Sequence, residues 1–447
     1  MTRPMTAMTH AQTVPDIHAS GSESLTDCFD GTQHPAGGWI TRFCARPVLN
    51  RLRQLQHGTL VMRSGCDEAV FGDMSSTATP AIVNLHSPEF FRRLLLSGAM
   101  GAAESFMDGE WSTPDLTAVF RVFLKNESLL ETFRGRRFSP LHLLRRIDHF
   151  TKRNSRSGSR RNIQEHYDLG NEFFALFLDE SMMYSCALFA EPAMSLTQAS
   201  WAKVDRVCQQ LQLSPADHVL EIGTGWGGFA LHAAKHYGCR ITTTTISEEQ
   251  FRYASDRISS AGLRDRVTVL KQDYRDLSGQ YDKLVSLEMI EAVGRQYLPQ
   301  YFATCDRLVK STGAMLLQTI TMPEQRFQQY ASSVDFIQKY IFPGGFLPSI
   351  TELQNCVQTE TDFRMLHLHD FGHHYARTLK LWRDRFHNRL DDVREQGFSE
   401  RFIRMWHYYL CYCEAAFLER ATGLVQMVWA RPNSTLGQLT DMEQTAL

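Results

Sequence analysis

No run of about 18 apolar residues occurs in this 447-residue sequence, which excludes an ordinary membrane-spanning helix. The opening stretch "MTRPMTAMTHAQTVPDIHASGSESLTD" lacks the apolar centre of a signal peptide. It also has too little apolar surface to order itself, so residues 1–45 are expected to form a flexible leader. Charge of one sign is not in excess: the formal net charge is -2, and the chain as a whole does not attract nucleic acid. The ten cysteines follow no framework spacing, which suits reduced thiols in a cytoplasmic compartment. His367, His369, His373 and His374 form a His-rich patch, for which a strand end followed by a helix start is a simpler account than a metal site.

Charge is concentrated in one place. Between Arg134 and Arg161 there are ten Lys and Arg residues, opposed only by Asp148. Such a segment suits an anionic membrane surface, at about 1 kcal/mol per cation, and equally suits a solvated linker. Aromatic residues are not interleaved with these charges, which argues against nucleic acid. We therefore divide the chain into the leader, a small α+β domain (46–150), a basic linker (151–162) and a larger domain (163–447). In the small domain "TLVMRSGCDEAVFG" predicts two strands around a turn, and "AIVNLHS" a third. "PEFFRRLLLSG" has helical spacing with Gly98 as the expected stop, and "DLTAVFRVFLKN" repeats it.

The larger domain alternates strand and helix, from "HVLEIG" through "RITTTTI", "VTVLKQ" and "YDKLVSLEM" to "GAMLLQTIT". This order predicts a doubly wound, largely parallel α/β sheet with helices on both faces and ligands at the carboxyl ends of its strands. "LVQMVWARP" predicts a last strand. Phe402, Trp406, Tyr409, Cys413 and Phe417 fall on one face of a late helix, read as a packed core.

"VLEIGTGWGG" carries the first chemistry. Gly223, Gly225 and Gly227 follow a strand and open a helix, so backbone can approach a ligand and free N–H groups face it. Glu221, on the strand just before the turn, suits a ligand ammonium and would repel pyrophosphate. That favours S-adenosylmethionine over a dinucleotide.

With "QEHYDLGNEFFALFLDESMMYSCALF", "TISEEQ", "QDYRDL", "EMIEAVG", "FPGGFLPS" and "HYARTLKLW" following in order, the chain resembles the cyclopropane-fatty-acyl-phospholipid synthase family, which includes the mycolic acid cyclopropane synthases. The resemblance covers roughly residues 50–435. It implies a Rossmann-like class I methyltransferase sheet, preceded by a small lipid-binding domain. It implies transfer of a methylene from S-adenosylmethionine to a cis double bond of a membrane phospholipid, at the cytoplasmic face of the membrane. It also suggests a homodimer. Carried over by motif, Tyr184, Ser185, Glu221, Gly223, Gly225 and Gly227 approach the cofactor, Thr245 and Gln250 its ribose, and Tyr274 and Arg275 its adenine.

An alkene has no proton to lose before it attacks, so the chemistry needs no Ser, Cys or Lys nucleophile. It needs a dry site and a base. In the family the base is thought to be a bound bicarbonate. The matching positions here are Cys186, acting through its backbone carbonyl, Glu291, Gln318, Tyr375 and the backbone N–H of Leu287. Two departures stand out. Gln318 replaces a His of well-known members; an amide can hold an anion but cannot carry a proton near neutral pH. Glu288 stands where the family often has Gly. Two other outcomes therefore accompany the cyclopropane reading: a methylated or methyl-branched acyl chain, or a non-catalytic lipid- or S-adenosylmethionine-binding protein.

Overall fold

β-Branched and aromatic runs broken by Gly and Asp give the first sheet. The computed structural model describes residues 39–73, 79–133 and 169–437. The basic segment 134–161 and the expected linker lie outside them, as does the leader up to residue 38. Strands β1 (Thr59–Ser64), β2 (Asp67–Gly72), β3 (Ala81–Leu85) and β4 (Trp111–Ser112) form a sheet in the order β2-β1-β3-β4. The expected leader is cut short by a helix, Trp39–Leu52, in which Cys44, Ala45, Val48, Leu49 and Leu52 are buried at helical spacing.

Gly98 ends the first helical stretch, as expected, but a second follows it directly. The segment runs from Glu89 to Met107, and Gly98 is a kink within it at φ 59°, ψ -142°. The following "AMGAAESFM" is rich in helix formers and places Met100, Ala103, Phe106 and Met107 in the core, so the helix resumes. The next helix, Leu116–Leu124, is capped by the Asp115 side chain and lies against the late helix Glu400–Leu418. Thr117 Oγ1 donates to Glu414 Oε2 at 3.3 Å, and Arg121 Nε to Glu419 Oε1 at 2.5 Å. The N-terminal layer thus shares one apolar core with the larger domain.

The second sheet contains β5 (His218–Ile222), β6 (Arg240–Thr245), β7 (Val267–Lys271), β8 (Tyr281–Leu287), β9 (Val309–Thr321), β10 (Arg364–Asp370) and β11 (Gly423–Ala430). Their order is β10-β11-β9-β8-β5-β6-β7. From β9 to β7 all pairs are parallel, and β11 is the reversed strand, antiparallel to both its neighbours. The chain leaves β5 for β6 on one side and returns to β8 on the other, so the order switches direction at β5 and β8. A crevice opens at such a switch, outside the carboxyl ends of the strands. His367 and His369 lie on β10, while His373 and His374 open the helix Gly372–His387.

Candidate active site

The glycine turn follows β5 at that crevice. Gly223 has φ +103°, and a Cβ there would press on the Met289 side chain at 3.0 Å. Gly225 has φ +52°, and a Cβ there would meet nothing within 4 Å. Its bare face belongs to the wall of a cavity of about 410 Å³. Gly227 caps the helix Gly228–His236 and does not line the cavity. Glu221 is buried on β5 and lines the cavity; its carboxylate accepts a hydrogen bond from Thr243 Oγ1 at 2.6 Å. Burial pushes its pKa up to about 8, against the pull of Thr243 and Lys203.

Tyr184, Ser185, Thr245, Gln250, Tyr274 and Arg275 line the same cavity. Several of their polar atoms are already engaged. Thr245 Oγ1 donates to Gln250 Oε1 at 2.8 Å, and Tyr184 and Tyr409 hydroxyls meet at 2.8 Å. Arg275 makes a two-pronged pair with Asp273, at 2.8 and 2.6 Å, which fixes the turn after β7. Ser185 Oγ accepts from Lys203 Nζ at 2.8 Å. Lys203 is itself buried, and desolvation pulls its ammonium pKa down while the charges of Glu288 and Glu221 raise it. The open space at Gly225, the carboxylate of Glu221 and the helix start behind Gly227 fit a cationic nucleoside such as S-adenosylmethionine.

The other half of the cavity centres on two carboxylates. Glu288 follows the last residue of β8 and takes a left-handed backbone, φ +51°, unusual for a residue with a Cβ. That turn sends its side chain into a ring of donors. Cys186 backbone N–H donates to Oε1 at 2.9 Å, Gln318 Nε2 to Oε1 at 2.6 Å, and Tyr375 Oη to Oε2 at 2.7 Å. Gln318 is fully buried on β9, opposite Gln426 of β11. Gln426 Nε2 donates to Gln318 Oε1 at 2.9 Å, and Arg206 Nε donates to Gln426 Oε1 at 3.2 Å. The chain Arg206, Gln426, Gln318, Glu288 therefore points every N–H the same way, toward the carboxylate. Hydrogen bonds aligned like this strengthen one another and favour a negative charge at their end. Burial nevertheless raises the Glu288 pKa, with Tyr375, Cys186 and Gln318 lowering it.

Glu291 sits beside it, in the turn after β8. Its Oε1 accepts from Ile320 N–H at 2.7 Å and Thr319 Oγ1 at 3.0 Å. Its Oε2 is buried without a hydrogen-bond partner among the described residues. Burial first, and the charge of Glu288 second, push the Glu291 pKa up to about 8. Three donors aim at Glu288 and two at Glu291, which favours the charge on Glu288 of the pair.

Comparison with known proteins places this geometry. Residues 154–427 match the sequence family described as mycolic acid cyclopropane synthetase. The chain belongs to that family. It is 38% identical over 417 residues to the tuberculostearic acid methyltransferase UfaA1 of Mycobacterium tuberculosis, covering 89% of this chain and 95% of that one. It is 39% identical over 364 residues to the cyclopropane-fatty-acyl-phospholipid synthase of Escherichia coli, covering 79% and 89%. The solved mycolic acid cyclopropane synthase CmaA1 complexed with SAH and CTAB is 29% identical, with a TM-score of 0.57, over 61% of this chain and 98% of that chain. This cyclopropane synthetase family member thus has the class I S-adenosylmethionine-dependent methyltransferase fold and is an enzyme of that class.

The bicarbonate that the resemblance implies does not fit the residues present. Tyr375 Oη and Gln318 Nε2, two of its expected donors, are already bound to Glu288. The Cys186 backbone N–H also donates to that carboxylate. Leu287, at the end of β8, lines the cavity, and the next N–H, that of Glu288, donates to Gln318 O at 2.8 Å. Cys186 and Gln318 do not line the cavity, whereas Glu288, Glu291 and Tyr375 do. The Cys186 thiol is no nucleophile: burial, and then the Glu288 charge, raise its pKa well above the ordinary value.

The late helical stripe packs into the core as expected, and part of it does more. Tyr409, Cys413 and Phe417 are cavity wall as well as packing. Gln426, Lys203, Arg206 and Asp273 escaped the sequence reading. Gln426 carried the same signal as Gln318, an amide inside an apolar strand.

Proposed function

We propose that this enzyme transfers a one-carbon unit from S-adenosylmethionine to the cis double bond of an unsaturated acyl chain in a membrane phospholipid, giving a cyclopropane. One observation carries the reading: a single cavity runs from the glycine turn past two half-buried carboxylates into an apolar wall that includes Ile320, Met322, Ile337, Phe342 and Phe346. That wall suits a hydrocarbon chain and excludes water from an electron-poor carbon.

S-adenosylmethionine, when bound, supplies an electrophilic methyl group, and its sulfur keeps the bonding pair. The residues of this chain do the rest. Glu221 and the turn at Gly223 and Gly225 hold and orient the donor. Thr245 and Gln250 flank its ribose side, and Tyr274 and Arg275 its adenine side. The apolar wall holds the alkene against the methyl and keeps water from the cationic carbon of the substrate. The carboxylate pair stands where a proton must leave the new carbon if the ring is to close. Leu124, from the N-terminal layer, completes the cavity wall, so the smaller domain takes part in holding the lipid. The basic segment 134–161 would meet an anionic membrane surface from the cytoplasmic side.

A second product is favoured by one comparison: a relative matching 95% of its own length is a tuberculostearic acid methyltransferase. Loss of a proton from a neighbouring carbon of the substrate would leave a methylated alkene, which a separate reductant would turn into a methyl branch. The test is expression in a host lacking its own synthase, followed by mass spectrometry of fatty acid methyl esters. A gain of one CH₂ that resists hydrogenation is expected. A product that takes up hydrogen would establish the second reading, and unchanged lipids despite measured cofactor binding would overturn both.

A further inference from the structure

The geometry points to Glu288 as a built-in replacement for the family's bicarbonate: its side-chain carboxylate is the base, and this enzyme works without the dissolved anion. The inference rests on the one-carbon transfer proposed above and assigns its proton. Three donors that would hold a small planar anion converge instead on one carboxylate of the protein. Tyr375 Oη, Gln318 Nε2 and the Cys186 N–H lie 2.7, 2.6 and 2.9 Å from its oxygens. A carboxylate and a bicarbonate present the same pair of acceptor oxygens, so one cannot enter while the other is there.

The backbone supplies an independent observation. Glu288 occupies a left-handed conformation, φ +51°, that glycine adopts freely and a residue with a Cβ rarely does. A glycine here would leave the ring of donors facing the cavity. A glutamate here fills it. The residue thus accepts an unfavourable backbone to place its carboxylate among those three donors.

Gln318 then acquires a reason. Its amide receives a hydrogen bond from Gln426 and donates one to Glu288, in a line that begins at Arg206. An imidazole at this position could take the proton itself. An amide cannot, so the proton stays on the carboxylate. Glu288 lines the cavity, and its Oε2 accepts only from Tyr375 among the described residues, which leaves it an acceptor site. In the step, a C–H bond of the newly attached carbon breaks. Its electron pair forms the second C–C bond of the ring, and the proton goes to Glu288. After product release the acid returns its proton to solvent.

The test compares the wild-type protein with Glu288→Gly and Glu288→Gln, each loaded with S-adenosylmethionine. The Gly variant suits the backbone, and the isosteric Gln variant keeps the volume. Binding of ¹³C-labelled bicarbonate is followed by NMR. Turnover is followed as S-adenosylhomocysteine release with vesicles of cis-unsaturated phospholipid. The wild type should bind no bicarbonate and keep its rate in buffer stripped of carbon dioxide. Both variants should lose about 100-fold or more in rate, the usual weight of a general base. Glu288→Gly should bind bicarbonate and regain at least roughly tenfold when millimolar bicarbonate is added, while Glu288→Gln should not respond. Bicarbonate bound by the wild type, a wild-type rate that collapses on stripping, or a Gly variant fully active without bicarbonate would overturn the inference. If no lipid is turned over at all, the one-carbon transfer reading fails, and the NMR arm still decides whether Glu288 occupies the anion's place.

Discussion

The two halves of the cavity are built differently. The cofactor half is largely backbone: a glycine turn at the end of β5, a helix start, and Glu221 on the strand itself. The carboxylate half is side chains delivered from separate elements: Glu288 from the end of β8, Gln318 from β9, Gln426 from β11, and Tyr375 from the helix Gly372–His387. A backbone-built half depends on a local stretch of sequence. A half built from converging side chains depends on register across strands and on one unusual φ. On the proposed reading the first half binds the donor and the second moves a proton, so they should fail separately.

The largest expected effect is on binding. Gly225→Val puts a branched side chain at φ +52° into the cradle, and it should weaken S-adenosylmethionine by about 100-fold or more. Calorimetric titration checks this; binding within threefold of wild type would break the assignment of the turn. The pH dependence of the same binding comes next. Glu221 is held up to about 8 by burial. Its ionised form is the one that attracts a cation, so binding releases a proton. The dissociation constant should therefore fall by up to about tenfold per pH unit from pH 6 toward 8 and level off above, and Glu221→Gln should flatten the curve.

On the carboxylate side the effects should leave cofactor binding alone. Tyr375→Phe removes a hydroxyl that donates to Glu288 and should cost roughly tenfold in turnover, with the cofactor dissociation constant unchanged. Gln426→Leu interrupts the line of amides. It should cost roughly threefold in turnover and about 1–3 kcal/mol of stability, because Gln318 Oε1 and Arg206 lose a buried partner. Turnover and denaturant titration separate the two contributions. A change in cofactor affinity from either variant would mean that the halves are coupled.

The same contrast governs what could be read from the sequence. The parallel sheet, Glu221 and the glycine turn are local signals, and each lies where its residues imply. The seventh-strand reversal at β11 and the pairing of Gln426 with Gln318 are properties of register between distant segments, which apolar patterning alone does not specify. Glu288 was visible as a departure from glycine. Its direction was not, since only the left-handed turn shows that its carboxylate faces Cys186, Gln318 and Tyr375 rather than solvent. Arg275 was assigned to a ligand by motif, yet its guanidinium is paired with Asp273, a local partner two residues away.

The claim that binding and proton transfer reside in separate halves is tested most directly by Glu288→Gln. Cofactor affinity and single-turnover rate with cis-unsaturated phospholipid are measured on the same preparation. The prediction is an affinity within about twofold of wild type and a rate lower by about 100-fold or more. An undiminished rate, or an affinity that falls in step with the rate, would contradict it.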